Sequence, residues 1–292
     1  MSPAASFPVL VASDGSPEAR AAVAAAVAFP WPSGARATGV IGRDVMPVSL
    51  PRGHGLALEA SLEAVAGEIR AALADRWRGA TVSIVVGRAA SAILAEARRR
   101  RARAIVVGAR GHGALSRLLL GSVSRDIVRG ARCSVLVVRG APSQIRSVVV
   151  GIDGSAESRR AVDLIARLTP ARGARATVVR VLEPVHVPSL ALLPARIRSI
   201  LSAEASALHA RHLRAAEREV KDAARRIGRR WRASTLIRIG TPAHELLRAA
   251  EEARAEVVVV GARGSGGLEG LLLGSVADSV LERSGVSVLI AR

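Results

Sequence analysis

Short runs rich in valine and isoleucine punctuate this chain near residues 9–12, 38–41, 82–86, 105–107 and 135–138, and again near 148–151, 177–182, 235–239, 257–260 and 286–290. Runs such as Val257-Val-Val-Val260 are apolar at every position, as strands are when both faces of a parallel sheet are covered. The segments between them read as helices, so strand and helix alternate throughout, the sequence sign of an α/β fold. The first helix opens on Ser16-Pro17-Glu18. That is a capping serine, a proline at the first helical position and an acid in the first turn. The longest helical stretch, near 195–228, spaces Ile197, Leu201, Leu208, Ala216, Val220 and Ile227 along one face. This stripe predicts burial in a core or an interface.

The pattern is written twice. Val9-Leu-Val-Ala-Ser-Asp14-Gly-Ser16 matches Val148-Val-Val-Gly-Ile-Asp153-Gly-Ser155 at an offset of 139 residues. Further on, Ile105-Val-Val-Gly-Ala-Arg-Gly111 matches Val258-Val-Val-Gly-Ala-Arg-Gly264 at an offset of 153, and Leu118-Leu-Leu-Gly-Ser-Val123 matches Leu271-Leu-Leu-Gly-Ser-Val276 at the same offset. The second copy therefore carries fourteen extra residues between its second and third strands. A duplication of this kind predicts two tandem, doubly wound α/β domains, 1–142 and 143–292, with the boundary near Ala141-Pro-Ser-Gln144. The last strand of each copy is an apolar edge, and an uncovered edge invites aggregation. The expectation is that the two edges pair within the chain, making a monomer that mimics a dimer, with further self-association left open.

Composition narrows the function. With 292 residues, half of them hydrophobic, each copy can bury its own core. The formal charge of +19 raises nucleic acid as a partner, but residues 1–142 carry a net +10 and 143–292 a net +9, so the charge is spread rather than gathered. Lys221 is the only lysine, and the clusters at 98–103 and 225–232 fall in or beside helices, where solvated charge is ordinary. Two Phe, three Trp and no Tyr leave little on which single-stranded bases could stack, so nucleic acid is not the expected partner. Cys133 is the only cysteine, which excludes an intrachain disulfide and fits a reducing cytoplasm. Apolar stretches such as 21–30 fall short of a membrane span, and the N-terminus lacks the basic-then-apolar order of a signal peptide.

Two features recur where strands end, the place at which open parallel sheets bind ligands. One is an aspartate after strand one, Asp14 and Asp153. The other is a glycine loop after strand four: Gly108-Ala-Arg-Gly111, nine residues, then Gly121-Ser122, and its twin Gly261-Ala-Arg-Gly264, nine residues, then Gly274-Ser275. A triphosphate needs backbone N–H groups turned inward, which glycine permits, and each serine falls where a following helix presents its N-terminus to an anion. Aspartate does not favour phosphate, so its expected part is accepting hydrogen bonds from ribose or base. The bland reading is that these glycines only serve turns and caps.

The spacing G-x2-G-x9-G-S in both copies resembles the ATP-binding branch of the universal stress protein family. That resemblance implies a five-stranded parallel sheet ordered 3-2-1-4-5 in each copy, flanked by helices, and ATP, with Mg²⁺, as the ligand of both. By position it implies phosphate contacts from Gly108, Gly111, Gly121 and Ser122, and from Gly261, Gly264, Gly274 and Ser275. It adds a further backbone donor at Val123 and Val276, and nucleoside contacts at Asp14 and Asp153. It also implies a main-chain contact to adenine at Val181, whose place in copy one falls near Ile41 or Gly42. The chain departs from the family at Ala104, where an acid is usual, and at Ser134 and Ser287, where proline is usual.

Other chemistries fit less well. No G-x4-G-K-(S/T) loop is present, and the residues after strand one are Asp14-Gly-Ser, not a dinucleotide-binding glycine cluster. Cys133 lacks an evident base, and His209 and His212 share a helix face without a third metal ligand in view. His112 lies in one loop only, since Ser265 takes its place in the other, which weakens a general-base role. Arg110 and Arg263 recur inside the loop, either on phosphate or in solvent. The expected function is a nucleotide-dependent regulatory module rather than an enzyme; the alternative is a slow ATPase or phosphotransferase on the same loop. The protein partner is not legible.

Overall fold

The computed structural model describes residues 6–43, 52–111, 120–140, 144–184, 195–264 and 273–292. The first copy runs β1 (Phe7–Ala12), α1 (Pro17–Ala28), β2 (Ala35–Arg43), α2 (Arg52–Ala74), β3 (Thr81–Val86), α3 (Ala89–Arg99), β4 (Ala104–Gly108), α4 (Ser122–Gly130) and β5 (Ser134–Val138). The second runs β6 (Ser147–Ile152), α5 (Ala156–Arg167), β7 (Arg175–Leu182), α6 (Ala195–Ile227), β8 (Arg232–Ile239), α7 (Pro242–Glu252), β9 (Val257–Gly261), α8 (Ser275–Arg283) and β10 (Ser287–Ala291). All ten expected strands are present. As the capping pattern at Ser16 predicts, its Oγ accepts from the Ala19 N–H at 3.1 Å, and Ser155 repeats the bond to Ser158 at 3.1 Å.

The strands form one ten-stranded sheet in the order β3-β2-β1-β4-β5-β10-β9-β6-β7-β8. Each half is parallel and ordered 3-2-1-4-5, and the halves join where β5 and β10 pair antiparallel. The register there is Val135↔Ile290, Leu136↔Leu289, Val137↔Val288. Leu289 is the duplicate of Leu136, so the copies meet about a pseudo-two-fold axis through that pair. The edges expected to pair do pair.

The departures from proline gain a physical reason at this seam. Ser287 Oγ accepts from the Arg139 N–H at 3.1 Å, and Ser134 Oγ accepts from the Arg292 N–H at 3.3 Å, so each buried serine holds the chain leaving the other copy's last strand. Arg139 donates to the Leu281 carbonyl at 2.9 Å, and Arg292 to the Val128 carbonyl at 2.7 Å. Each copy thus caps the last turn of the other copy's final helix, where a cation is favoured.

Two apolar layers run along the sheet across both copies. One holds Phe29, Trp31, Leu73, Ile165, Leu168 and Ile227, the other Ile105, Ile127, Val258 and Leu281. Trp31 is fully buried, donates its indole N–H to Ala26 O at 2.8 Å, and lends its own carbonyl to Thr169 of the second copy at 2.6 Å. The stripe on α6 divides. Ala216, Val220 and Ile227 are buried, but Ile197 and Leu201 are 45% and 36% exposed. The helix has 33 residues against 23 in α2, and its extra length, about 15 Å at 1.5 Å per residue, lies at the end carrying the exposed pair.

Candidate functional site

In each copy the chain leaves strand one toward one side of the sheet and returns on the other as strand four, placing β1 beside β4 and β6 beside β9. The carboxyl ends of those pairs are topological switch points, where α/β sheets open a crevice. Asp14 and Asp153 stand just past β1 and β6. One carboxylate oxygen of each accepts the N–H two residues on, Ser16 or Ser155, at 3.0 Å, which fixes the turn into the helix. The other oxygen faces the glycine loop. A Cβ on Gly111 would lie 2.3 Å from Asp14 Oδ2, and one on Gly264 would lie 2.7 Å from Asp153 Oδ2.

Gly108 and Gly261 are also closely held. A Cβ on Gly108 would lie 2.9 Å from the Glu18 carbonyl oxygen, and one on Gly261 would lie 2.8 Å from Glu157, so the loop rests directly on the first turn of α1 or α5. The loop's ends are tied together by Gly121 N–H to Ala109 O at 2.8 Å and Gly274 N–H to Ala262 O at 2.8 Å. Gly121 and Gly274 then cap α4 and α8, whose first residues are Ser122 and Ser275. Glycine backbone with a helix N-terminus therefore forms one wall, and a carboxylate stands directly beside it. The first suits an anion, the second a group that donates hydrogen bonds.

In copy two, Asp153, Val181, Gly261, Arg263, Gly264, Gly274, Ser275 and Val276 all line a single cleft of about 370 Å³, within the size range of small-molecule sites. The main chain of Val181 faces the β6 side. Val40, in copy one, shows the parity: its carbonyl accepts from the Ser13 N–H just past β1 at 2.9 Å, and alternate residues of a strand point the same way. Val181 lies two residues beyond Val40's counterpart, past Ile152↔Arg180, where the β6 register stops. Arg180, Glu183 and Pro242 also line the cleft and were not singled out from sequence. Arg263 donates to Glu157 Oε1 at 2.9 Å, so its guanidinium is engaged by an acid on α5. The signal for that partner was available, since Glu18 and Glu157 recur at the same offset.

In copy one, Asp14, Gly108, Gly111, Gly121 and Ser122 take the same arrangement, with Val123 after the serine and 37% exposed. Arg110 lies near Arg139, whose guanidinium burial and then Arg110's charge hold below its ordinary pKa. His112 and Ser265 lie outside the described residues. Among the described residues no three His, Cys, Asp or Glu side chains converge, so the His209–His212 pair gains no third ligand. Burial pushes the Cys133 thiol up to about 11, a packed rather than a reactive cysteine. No helix among the described residues is long and apolar enough to cross a membrane.

The sequence model of the universal stress protein family matches residues 7–139 and again 144–292. One universal stress protein of Mycobacterium tuberculosis is 35% identical over 193 residues, a match covering 64% of this chain and 61% of the relative. Another from the same organism is 33% identical over 195 residues, covering 64% and 58%. The chain thus spans about three fifths of the length of these relatives. Among solved structures, a universal stress protein from Archaeoglobus fulgidus is similar over 98% of this chain and 96% of its own, with a TM-score of 0.62 and 20% identity. A protein of unknown function from Pseudomonas aeruginosa is similar over 98% and 92%, with a TM-score of 0.56 and 19% identity. At those identities the likeness is one of fold.

Proposed function

This chain belongs to the universal stress protein family, and from that membership we propose that it is a cytoplasmic, nucleotide-dependent regulatory or stress-response module whose ligand is an ATP-class nucleotide accompanied by Mg²⁺. One observation carries the reading: eight residues singled out by the glycine spacing, the aspartate and the strand-two position all line the same cleft in copy two. The phosphates would lie on the N–H groups of Gly264 and the first turn of α8, with the Ser275 hydroxyl as an added donor. Asp153 would accept from the ribose or base through its carboxylate. Val181 would present main-chain donor and acceptor to the base edge. With no cluster of three acidic or imidazole ligands among the described residues, Mg²⁺ would come with the phosphates and keep several waters, its usual mode.

A turnover enzyme on this loop needs a base to activate water or an acceptor, and the sequence repeats none. Regulation by occupancy needs only binding that differs between two states of the protein. The test is native mass spectrometry of the chain purified without added nucleotide, followed by addition of ATP and Mg²⁺. An adenine nucleotide retained or taken up at the expected mass supports the reading. A chain that arrives empty and stays empty overturns it.

A further inference from the structure

The two copies share the phosphate end of the cleft and differ at the end where a nucleoside would lie. We propose that the chain takes one nucleotide, in copy two, and that the close fit of Gly42 on Ala89 and the aliphatic pair Ile41 and Val65 deny copy one the nucleoside. This rests on the nucleotide reading above and refines the expectation of two sites.

The first difference is at the end of strand two. Copy one has Gly42 where copy two has Val181. A Cβ on Gly42 would lie 3.0 Å from both Cα and Cβ of Ala89, so the strand rests directly on the first residue of α3. In copy two the same two positions are Val181 and Pro242, and both line the cleft. There the cleft opens between the strand end and the helix start, since both border it. A planar base needs that separation beside the main chain it would bond; copy one has closed it.

The second difference is the wall next to the aspartate. In copy two, Arg180 lines the cleft and pairs with Glu219 at 3.2 Å, with Arg180 only 22% exposed. The Glu219 carboxylate reaches the turn after Asp153, since a Cβ on Gly154 would lie 2.8 Å from its Oε1. The ion pair joins Arg180 Nε to Glu219 Oε2, so this wall is polar where Arg180 borders the cleft. In copy one the counterparts are Ile41, 2% exposed, and Val65, whose Cγ2 would lie 3.1 Å from a Cβ on Gly15. Hydrocarbon at these two positions gives a ribose hydroxyl no hydrogen bond to add to that of Asp14, and a buried polar group short of partners is disfavoured. Both differences sit at the nucleoside end and both favour copy two.

The experiment is calorimetric titration of the full chain with a non-hydrolysable ATP analogue and Mg²⁺. One site per chain is expected. The paired substitution Arg180→Ile with Glu219→Val, which installs the residues copy one already packs at these positions, is expected to weaken binding at least tenfold while the melting temperature holds. If that pair loses its cooperative melt, Glu219→Gln keeps the shape and is expected to weaken binding severalfold. Two equivalent sites per chain, or a site of undiminished affinity after these substitutions, overturns the inference and leaves the nucleotide reading standing. No binding to the unsubstituted chain overturns both.

Discussion

At Gly264 the requirement for glycine is steric and local. The space a side chain would take is held by Asp153 Oδ2, 2.7 Å from an added Cβ. Gly264→Ala must therefore move either the loop or the carboxylate, and the account expects nucleotide affinity to fall about tenfold or more, the effect of a group displaced by about an ångström. Titration of that variant beside the unsubstituted chain reads the outcome, and unchanged affinity would remove Asp153 from the site. A different residue sets the acid sensitivity. Glu96 is buried and accepts from Arg99 at 2.7 and 2.6 Å and from Arg100 at 2.6 Å. The Arg99 bonds foremost, with help from Arg100 and against the cost of burial, hold its carboxyl down from 4.5 to about 2. A carboxylate depressed in the folded state contributes stability above its unfolded pKa and loses it as pH falls, here between about pH 4.5 and 2. Glu96→Gln should cost about 1 to 2 kcal/mol at pH 7, the lower part of the range for charged hydrogen bonds because Arg99 is largely exposed. It should also flatten the acid limb of a urea-stability profile, and a limb of unchanged slope would contradict the assignment.

Among the elements, α4 and α8 matter most, because each opens on a candidate phosphate site and closes on the other copy. Arg139 and Arg292 donate to the last-turn carbonyls across the seam, and burial holds both guanidinium groups below their ordinary range. Arg139→Ala and Arg292→Ala should each cost about 1 to 2 kcal/mol, as half-buried charged hydrogen bonds do. By the symmetry of the seam the two losses should be alike in chemical denaturation. A loss confined to one of them would break the symmetry argument. The flanking ion pairs, Arg125–Glu282 at 3.4 Å and Arg129–Asp278 at 3.7 Å, are surface pairs worth little singly. Their value is in selection. α4 offers two cations where α8 offers two anions, so pairing unlike copies satisfies charge and pairing like copies would not. The strands, their parallel sense and the loop spacing were legible because they are local patterns of apolar period and glycine placement, whereas the strand order came from the family resemblance. The seam was not, since Ser134, Arg139, Ser287 and Arg292 meet across about 150 residues and each alone reads as an ordinary polar position. The α6 stripe was half legible: period marks an apolar face but cannot say that Ile197 and Leu201 stand where the helix has outrun its partner.

On the scale of the whole chain, duplication has produced a covered sheet and two cradles held in one frame. The site was legible as far as main-chain geometry goes, in Asp153, Gly261, Gly264, Gly274 and Ser275. The end of the cleft away from the glycine loop was hidden, because Arg180, its partner Glu219 and Pro242 belong to different helices and strands and no spacing links them. The central claim is that a nucleotide binds the folded chain at these loops and regulates without rapid turnover. Ligand binding to the folded state alone raises stability by about 2.7 kcal/mol at a hundredfold excess over Kd. The direct measurement is thermal unfolding of the full chain with and without ATP and Mg²⁺, with phosphate release followed in the same samples. The account predicts a melting temperature that climbs with ATP concentration, a climb reduced by Ser275→Ala, and turnover far below about 1 s⁻¹, the low end of typical enzyme rates. A melting temperature indifferent to ATP, or multiple turnovers at about 1 s⁻¹ or faster, would contradict it.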